Sequence, residues 1–286
     1  MADPSPTVLQ LELGKRLRNL REERNFTIEG VAKQLLCSTT KISRLETGVR
    51  RPNPRDVRDL CRLYGVDELT TDKLMSLARE AREPVWWTKY EDLNLDPYLG
   101  LEHDAVAITS YTTYYLPALL QTEEYTRAII HTIAPKMDPD IYKQRVEVRM
   151  RRQGVLEGDN RPRYRVLLDE AVIHHIVGDP MIMAAQLERV LVAQQEGTAT
   201  IQVIPFDAGA YAAQESNFVL LEFGENSLMS PVVFVEGLTS NQYIQRVPDV
   251  ARYREAIEYL RDAALTPRDS IKYIKEKRDS LAAKHR

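Results

Sequence analysis

The stretch STTKISRLETG, Ser38 to Gly48, gathers side chains that can hydrogen-bond and very few that can hide. Thr39, Thr40 and Ser43 carry hydroxyls that both donate and accept, while Lys41 and Arg44 carry charged donors. Its two large apolar residues, Ile42 and Leu45, are three apart and share one narrow stripe of a helix. A helix of this kind buries little and turns a set of small polar and cationic groups outward. A second cluster, LDEAVIHH, holds Asp169, Glu170, His174 and His175. Glu170 and His174 are four apart and can share a helical face, as metal ligands do. A metal centre needs three or four ligands at known spacing, and the sequence has no HExxH and no cysteine cluster, so a structural role is expected there. There is also no GxSxG, no P-loop and no GxGxxG after a strand. The small-residue turn FDAGAY (206–211) and the acidic EFGEN are expected to be structural. Arg145, Arg149 and Arg152 form a basic stripe, read as a solvated or salt-bridged face, with docking of an acidic partner as the sharper alternative. No enzymatic activity, cofactor or metal is expected.

The elements that position the first cluster are five successive helical patterns. The first spans about 9–24, with Leu13, Leu17 and Leu20 on its stripe; Thr27 caps the second, with Ile28, Val31, Ala32 and Leu35 inward. Ser38 caps the third and Gly48 ends it. Asn53-Pro54 opens the fourth, which carries Val57, Leu60, Cys61 and Tyr64, and the fifth covers about 70–83. Pro84 and the paired Trp86 and Trp87 then break the rhythm, giving a linker or inter-domain packing segment over 84–98. Beyond it, helices are expected at 99–108, 121–132, 139–156, 180–195, 248–264 and 267–284, and strands at 163–171, 199–206, 217–223 and 231–237. The predicted fold is a mainly α five-helix domain (9–83) behind a flexible N-terminus (1–8), followed by an α+β domain (99–286) with about four strands.

At 286 residues, 43% hydrophobic and 28% charged, the composition is that of an ordinary soluble protein. No apolar run reaches the about 18 residues of a membrane span, and no signal segment is apparent at the N-terminus. Cys37 and Cys61, without CxxC spacing, read as free thiols in a reducing compartment, which places the protein in the cytoplasm, or on the nucleoid when bound to DNA. The net charge of −3 hides an asymmetry: Lys15 to Arg62 holds 13 Lys/Arg against 6 Asp/Glu, a local +7 on a body of −10. A basic block on an acidic body points to a polyanionic partner at one end.

Helices two and three are separated by a couple of residues, the helix-turn-helix arrangement, whose second helix reads the major groove. Double-stranded DNA is therefore the expected partner. Residues 10–66, through LGKRLRNLREERNFTIEGVAKQL, STTKISRLETGVRRPNP and DVRDLCRLYGVD, resemble the xenobiotic-response-element (XRE) helix-turn-helix family, the lambda-repressor-like, Cro/C1-type regulators. The resemblance implies base reading by Thr39, Thr40, Ser43 and Arg44, phosphate contacts by Thr27, Ser38, Lys41, Arg50, Arg51 and Arg55, and a structural, ion-paired role for Glu46. Residues 86–283, through VWWTKYEDLNLDPYLGLEHDAVAITSY, LPALLQTEEYTRAII, VLLDEAVIHHIVGD and QVIPFDAGAY, resemble the actinobacterial WhiJ-like regulators with their antitoxin-like C-terminal domain. That resemblance implies a transcriptional regulator, with a small protein encoded by an adjacent gene as a further partner. A single module covers one half-site, so a homodimer on an operator is expected. The rival expectation is an antitoxin that neutralises a small toxin and represses its own operon.

Overall fold

Short polar side chains set the punctuation of the N-terminal half. In the computed structural model, which describes residues 6–93, 97–224, 227 and 229–283, the helices are α1 (Pro6–Glu23), α2 (Ile28–Gln34), α3 (Thr39–Glu46), α4 (Pro54–Leu63) and α5 (Glu68–Glu80). Thr27, Ser38, Asn53 and Asp67 cap α2 to α5, each side-chain oxygen accepting a first-turn amide hydrogen at 2.9–3.1 Å. Leu13 and Leu17 of α1 meet Val31, Ile42, Leu45, Val57, Leu60, Tyr64 and Leu74 in one apolar core. α1 starts earlier than expected: residues 6–8, read as loose, are helical, and Val8 is buried. Residues 1–5 of that predicted flexible segment lie outside the described residues.

The chain divides into two units, 1–104 together with 225–229, and 105–224 together with 230–286. The 3-10 segment Trp86–Leu93 and α6 (Tyr98–Asp104) belong to the first, where Trp87 stacks near His103 at 5.7 Å and α6 meets α1. Residues 94–96 of the segment read as a linker, and Glu225 and Asn226 of EFGEN, lie outside the described residues.

The second unit is built on a six-stranded sheet ordered β3-β2-β1-β4-β5-β6. Its strands are β1 (Ala107–Thr112), β2 (Arg163–Asp169), β3 (Thr200–Ile204), β4 (Phe218–Glu222), β5 (Val232–Glu236) and β6 (Asn241–Ile244). The first three are mutually parallel, and β4, β5 and β6 add antiparallel. The helices are α7 (Glu123–Ile133), α8 (Pro139–Arg152), α9 (Glu170–His174), α10 (Pro180–Gln195), α11 (Val247–Ala263) and α12 (Pro267–Ala283). α7 and α8 lie between β1 and β2 along the chain, and α9 and α10 between β2 and β3, as parallel neighbours require. Val250, Ile257 and Leu260 of α11 cover one face of the sheet through Leu167, Ile204 and Val233. The β3 edge is closed: Val203 donates its amide hydrogen to Ser270 at 2.9 Å and accepts from Leu265 at 2.8 Å.

The α+β expectation holds, with six strands in place of about four. β1 escapes pattern reading because all six of its residues are buried, which leaves no alternation. β6 is a four-residue polar edge.

Candidate nucleic-acid interface

The junction of α2 and α3 is made by backbone geometry. Cys37 donates its amide hydrogen to the Ala32 carbonyl at 2.9 Å, and Leu36 sits in the left-handed region at φ 49°. Such a position favours glycine, and here a leucine occupies it with 94% of its surface exposed. Sequence reasoning passed over Leu36, since an apolar residue gives no signal of a left-handed turn.

From that turn α3 runs with two distinct faces. Ile42, Leu45 and Glu46 are buried, whereas Thr39, Thr40 and Arg44 are exposed and Ser43 is half-buried. The four side chains expected to read bases thus occupy one side, at positions one, two, five and six of the helix. Three fixings hold the opposite side. Gly14 of α1 approaches so closely that a Cβ there would lie 2.7 Å from the carbonyl oxygens of both Leu45 and Glu46. Gly48, at φ 68°, turns the chain away, and its carbonyl accepts from Gln10 at 2.5 Å.

The third fixing is a buried ion pair. The Arg21 guanidinium donates from Nε to Glu46 Oε1 at 2.6 Å and from Nη2 to Oε2 at 2.9 Å, and its Nη1 donates to the Phe26 carbonyl at 2.9 Å. The hydrogen bond to Glu46 raises the Arg21 pKa above the ordinary guanidinium range. The neighbouring Tyr64 hydroxyl is pushed upward by burial first and then by the Glu46 charge. Glu46 therefore ties α3 to α1, the structural role its resemblance implied.

The residues expected to hold phosphate fall into three settings. The Thr27 and Ser38 oxygens accept from Gly30 and Lys41 amides at 3.0 and 3.1 Å, which leaves each hydroxyl hydrogen able to donate outward. Arg50, Arg51 and Arg55 are exposed on the loop after α3 and the first turn of α4. That loop is braced by Val49 and Arg50 amides, both donating to the Arg44 carbonyl at 2.9 Å, and by Arg82 donating to the Pro52 carbonyl at 3.4 Å. Lys41 differs, because its Nζ lies 2.7 Å from Asp56 of α4 in a half-buried ion pair. Asp56 was not singled out in the sequence, since a contact fifteen residues distant leaves no local mark.

The second cluster is knitted into its own unit. Asp169 caps α9 by accepting from Ala171 at 2.7 Å and also receives the Tyr211 hydroxyl. Glu170 accepts from the Phe206 amide at 2.7 Å, receives the Tyr273 hydroxyl and lies 3.1 Å from His174. The other ring nitrogen of His174 lies 3.1 Å from Lys277 Nζ. These contacts occupy the carboxylates with hydroxyls and amides, and no group of three potential metal ligands occurs among the described residues. On α8, Arg149 turns to Gln121 at 3.2 Å while Arg145 stays exposed.

No described helix is long and apolar enough to cross a membrane. Residues 12–74 match the family model described as a helix-turn-helix domain, the element of a DNA-binding regulator, and residues 95–276 match that of a domain of unknown function, DUF5753. No curated protein matches the chain, and no solved structure does. The DUF5753 match covers more than half of the chain, which belongs to that family and carries a helix-turn-helix domain ahead of it.

Proposed function

We propose that the protein is a sequence-specific transcriptional regulator of the cytoplasm that acts as a homodimer on an operator and is controlled through its C-terminal unit. The observation that carries this reading is the division of α3: Thr39, Thr40 and Arg44 face outward while Glu46, Ile42 and Leu45 lock the opposite side. A fixed helix with small and cationic outward groups fits the major groove, where hydroxyls and guanidinium hydrogen-bond base edges. Arg50, Arg51 and Arg55 flank it with positive charge for the phosphate rails, so affinity falls steeply with salt. One module spans a half-site, and two copies supply the rest of an inverted repeat. In this reading the C-terminal unit binds a signal rather than catalysing a reaction, and binding shifts the order or spacing of the two DNA modules.

The test is genome-wide mapping of occupied sites for the protein and for Arg44→Ala. The variant is expected to fold normally and to lose about 1–3 kcal/mol of discrimination at one base position in each half-site. Occupancy identical to that of the parent would rule out α3 as the reader. Sedimentation of the protein on a single duplex site gives two copies per operator; one copy protecting an unpaired half-site would refute the dimer.

A further inference from the structure

Three arginines at the amino ends of the parallel strands stand apart from everything described so far. Arg161, Arg163 and Arg165 line a cleft of about 540 Å³ in the second unit, with Thr109, Thr200 and Glu222 among its walls. Sheet register explains the grouping. Arg165 is paired with Thr109 on one side and Thr200 on the other, so the three side chains share a face. Two residues earlier, Arg163 lies beside Ala107, which is itself paired with Glu222 of β4.

The charges do not cancel. Glu222 is taken by Arg254 at 2.6 Å, and Glu258 by Arg261 at 2.6 Å. Among the described residues no carboxylate pairs with Arg161, Arg163 or Arg165. The Nε of Arg165 and that of Arg261 are both shut off from solvent with no hydrogen-bond partner. Burial, and after it the Arg261 charge, holds Arg165 below the ordinary guanidinium range. Buried donors are almost always satisfied, because leaving one unmade forfeits its hydration without return. Like-charged guanidiniums gathered around an open space, with the neighbouring carboxylates already paired to other arginines, make a cleft suited to an anion.

From this arrangement we propose that the cleft binds a small phosphomonoester, the phosphoryl group seated on Arg163 and Arg165 beside the Thr109 and Thr200 hydroxyls. A phosphoryl dianion offers three acceptor oxygens and close to two charges, which matches this number of donors better than the two oxygens of a carboxylate. The volume is that of a small-molecule site and exceeds a bare phosphate, which leaves space for the rest of the ester. A concave site walled by Glu222 does not suit a duplex backbone, which is convex and uniformly anionic. Binding here needs nothing from the DNA module; only its regulatory meaning rests on the function proposed above.

Calorimetric and thermal-shift titrations of the full-length protein, without DNA, test the idea with inorganic phosphate, a nucleoside 5′-monophosphate and the unphosphorylated nucleoside. Both phosphates raise the melting temperature, the ester more than inorganic phosphate, while the nucleoside alone leaves it unmoved. Arg165→Met removes a guanidinium whose Nε is buried without a partner, so it melts no lower than the parent in phosphate-free buffer, yet binds the monophosphate at least tenfold more weakly. Arg163→Gln, at an exposed position of the mouth, weakens binding several-fold and guards against a folding artefact in the first variant. Silence from both phosphates, or equal affinity in parent and variants, overturns the proposal. So does an Arg165→Met protein that binds duplex DNA less tightly in phosphate-free buffer, since the cleft would then hold nucleic acid. Loss of DNA binding by the parent itself would sink the regulator reading and leave this one standing.

Discussion

Arg21 in α1 and Arg165 in β2 are both drawn away from water, and their surroundings differ in kind. Arg21 meets Glu46 through two hydrogen bonds and the Phe26 carbonyl through a third. Arg165 has its Nε sealed off with no partner, and the charge nearest in effect is another arginine. The first unit neutralises its buried cation and gains a fixed angle between α1 and α3. The second leaves Arg165 without a carboxylate partner among the described residues, the arrangement on which the proposed anion site rests.

That contrast can be broken most severely at Glu46. Glu46→Ala leaves Arg21 buried with only the half-exposed Glu22, 3.3 Å away, as a counter-charge, and is expected to cost about 3 kcal/mol in urea unfolding. Arg21→Met combined with Glu46→Leu recovers most of that loss, because apolar packing replaces a buried ion pair at little net cost. If Glu46→Ala unfolds like the parent, the pair is ornamental. Next comes the seat of α3. Gly14→Ala drives a methyl group against two backbone carbonyls and is expected to cost about 1–3 kcal/mol, despite alanine's better helix propensity, with DNA affinity falling as α3 tilts. A stable Gly14→Ala protein with full DNA affinity would show that α3 is not held by contact with α1.

Smaller effects sharpen the comparison. Leu36→Gly relieves a left-handed residue and should raise stability by about 0.5–1 kcal/mol, read as a shift in urea midpoint with unchanged slope. The smallest change is at Asp56, where Asp56→Asn releases Lys41 and creates in the first unit the kind of unpaired cation seen in the second. The slope of log affinity for duplex DNA against log salt should steepen by about one. A slope that stays put would mean Lys41 reaches no phosphate.

Much of the first unit is legible in the sequence because its determinants are local. Thr27, Ser38 and Asn53 act on amides two or three residues away, so their types and spacing betray the helix starts. The inward direction of Ile42 and Leu45 follows from period alone. What stays hidden is long-range. Arg21 and Glu46 are 25 residues apart, and nothing in either segment names its partner. The cleft in the second unit is further from view, since it needs β1, β2 and β3 to fall into register before Thr109, Arg165 and Thr200 become neighbours. Alternation in RYRVLLDEA predicts a strand over 163–171, of which 163–169 is strand and Glu170 already begins α9, but it cannot say that its first two arginines share a wall with a residue of a strand 56 positions earlier.

The meeting of α1 with α3 at Gly14 has a practical reach. Contact there is main chain against main chain, so the mount is indifferent to which side chains decorate the far surface of α3. If α3 reads the operator as proposed, positions 39, 40, 43 and 44 can be rewritten as a block, by library selection against new target sites, with no compensating substitutions underneath. In that reading the residues that choose the site are separate from those that hold the helix, and changing the site becomes a four-position combinatorial problem.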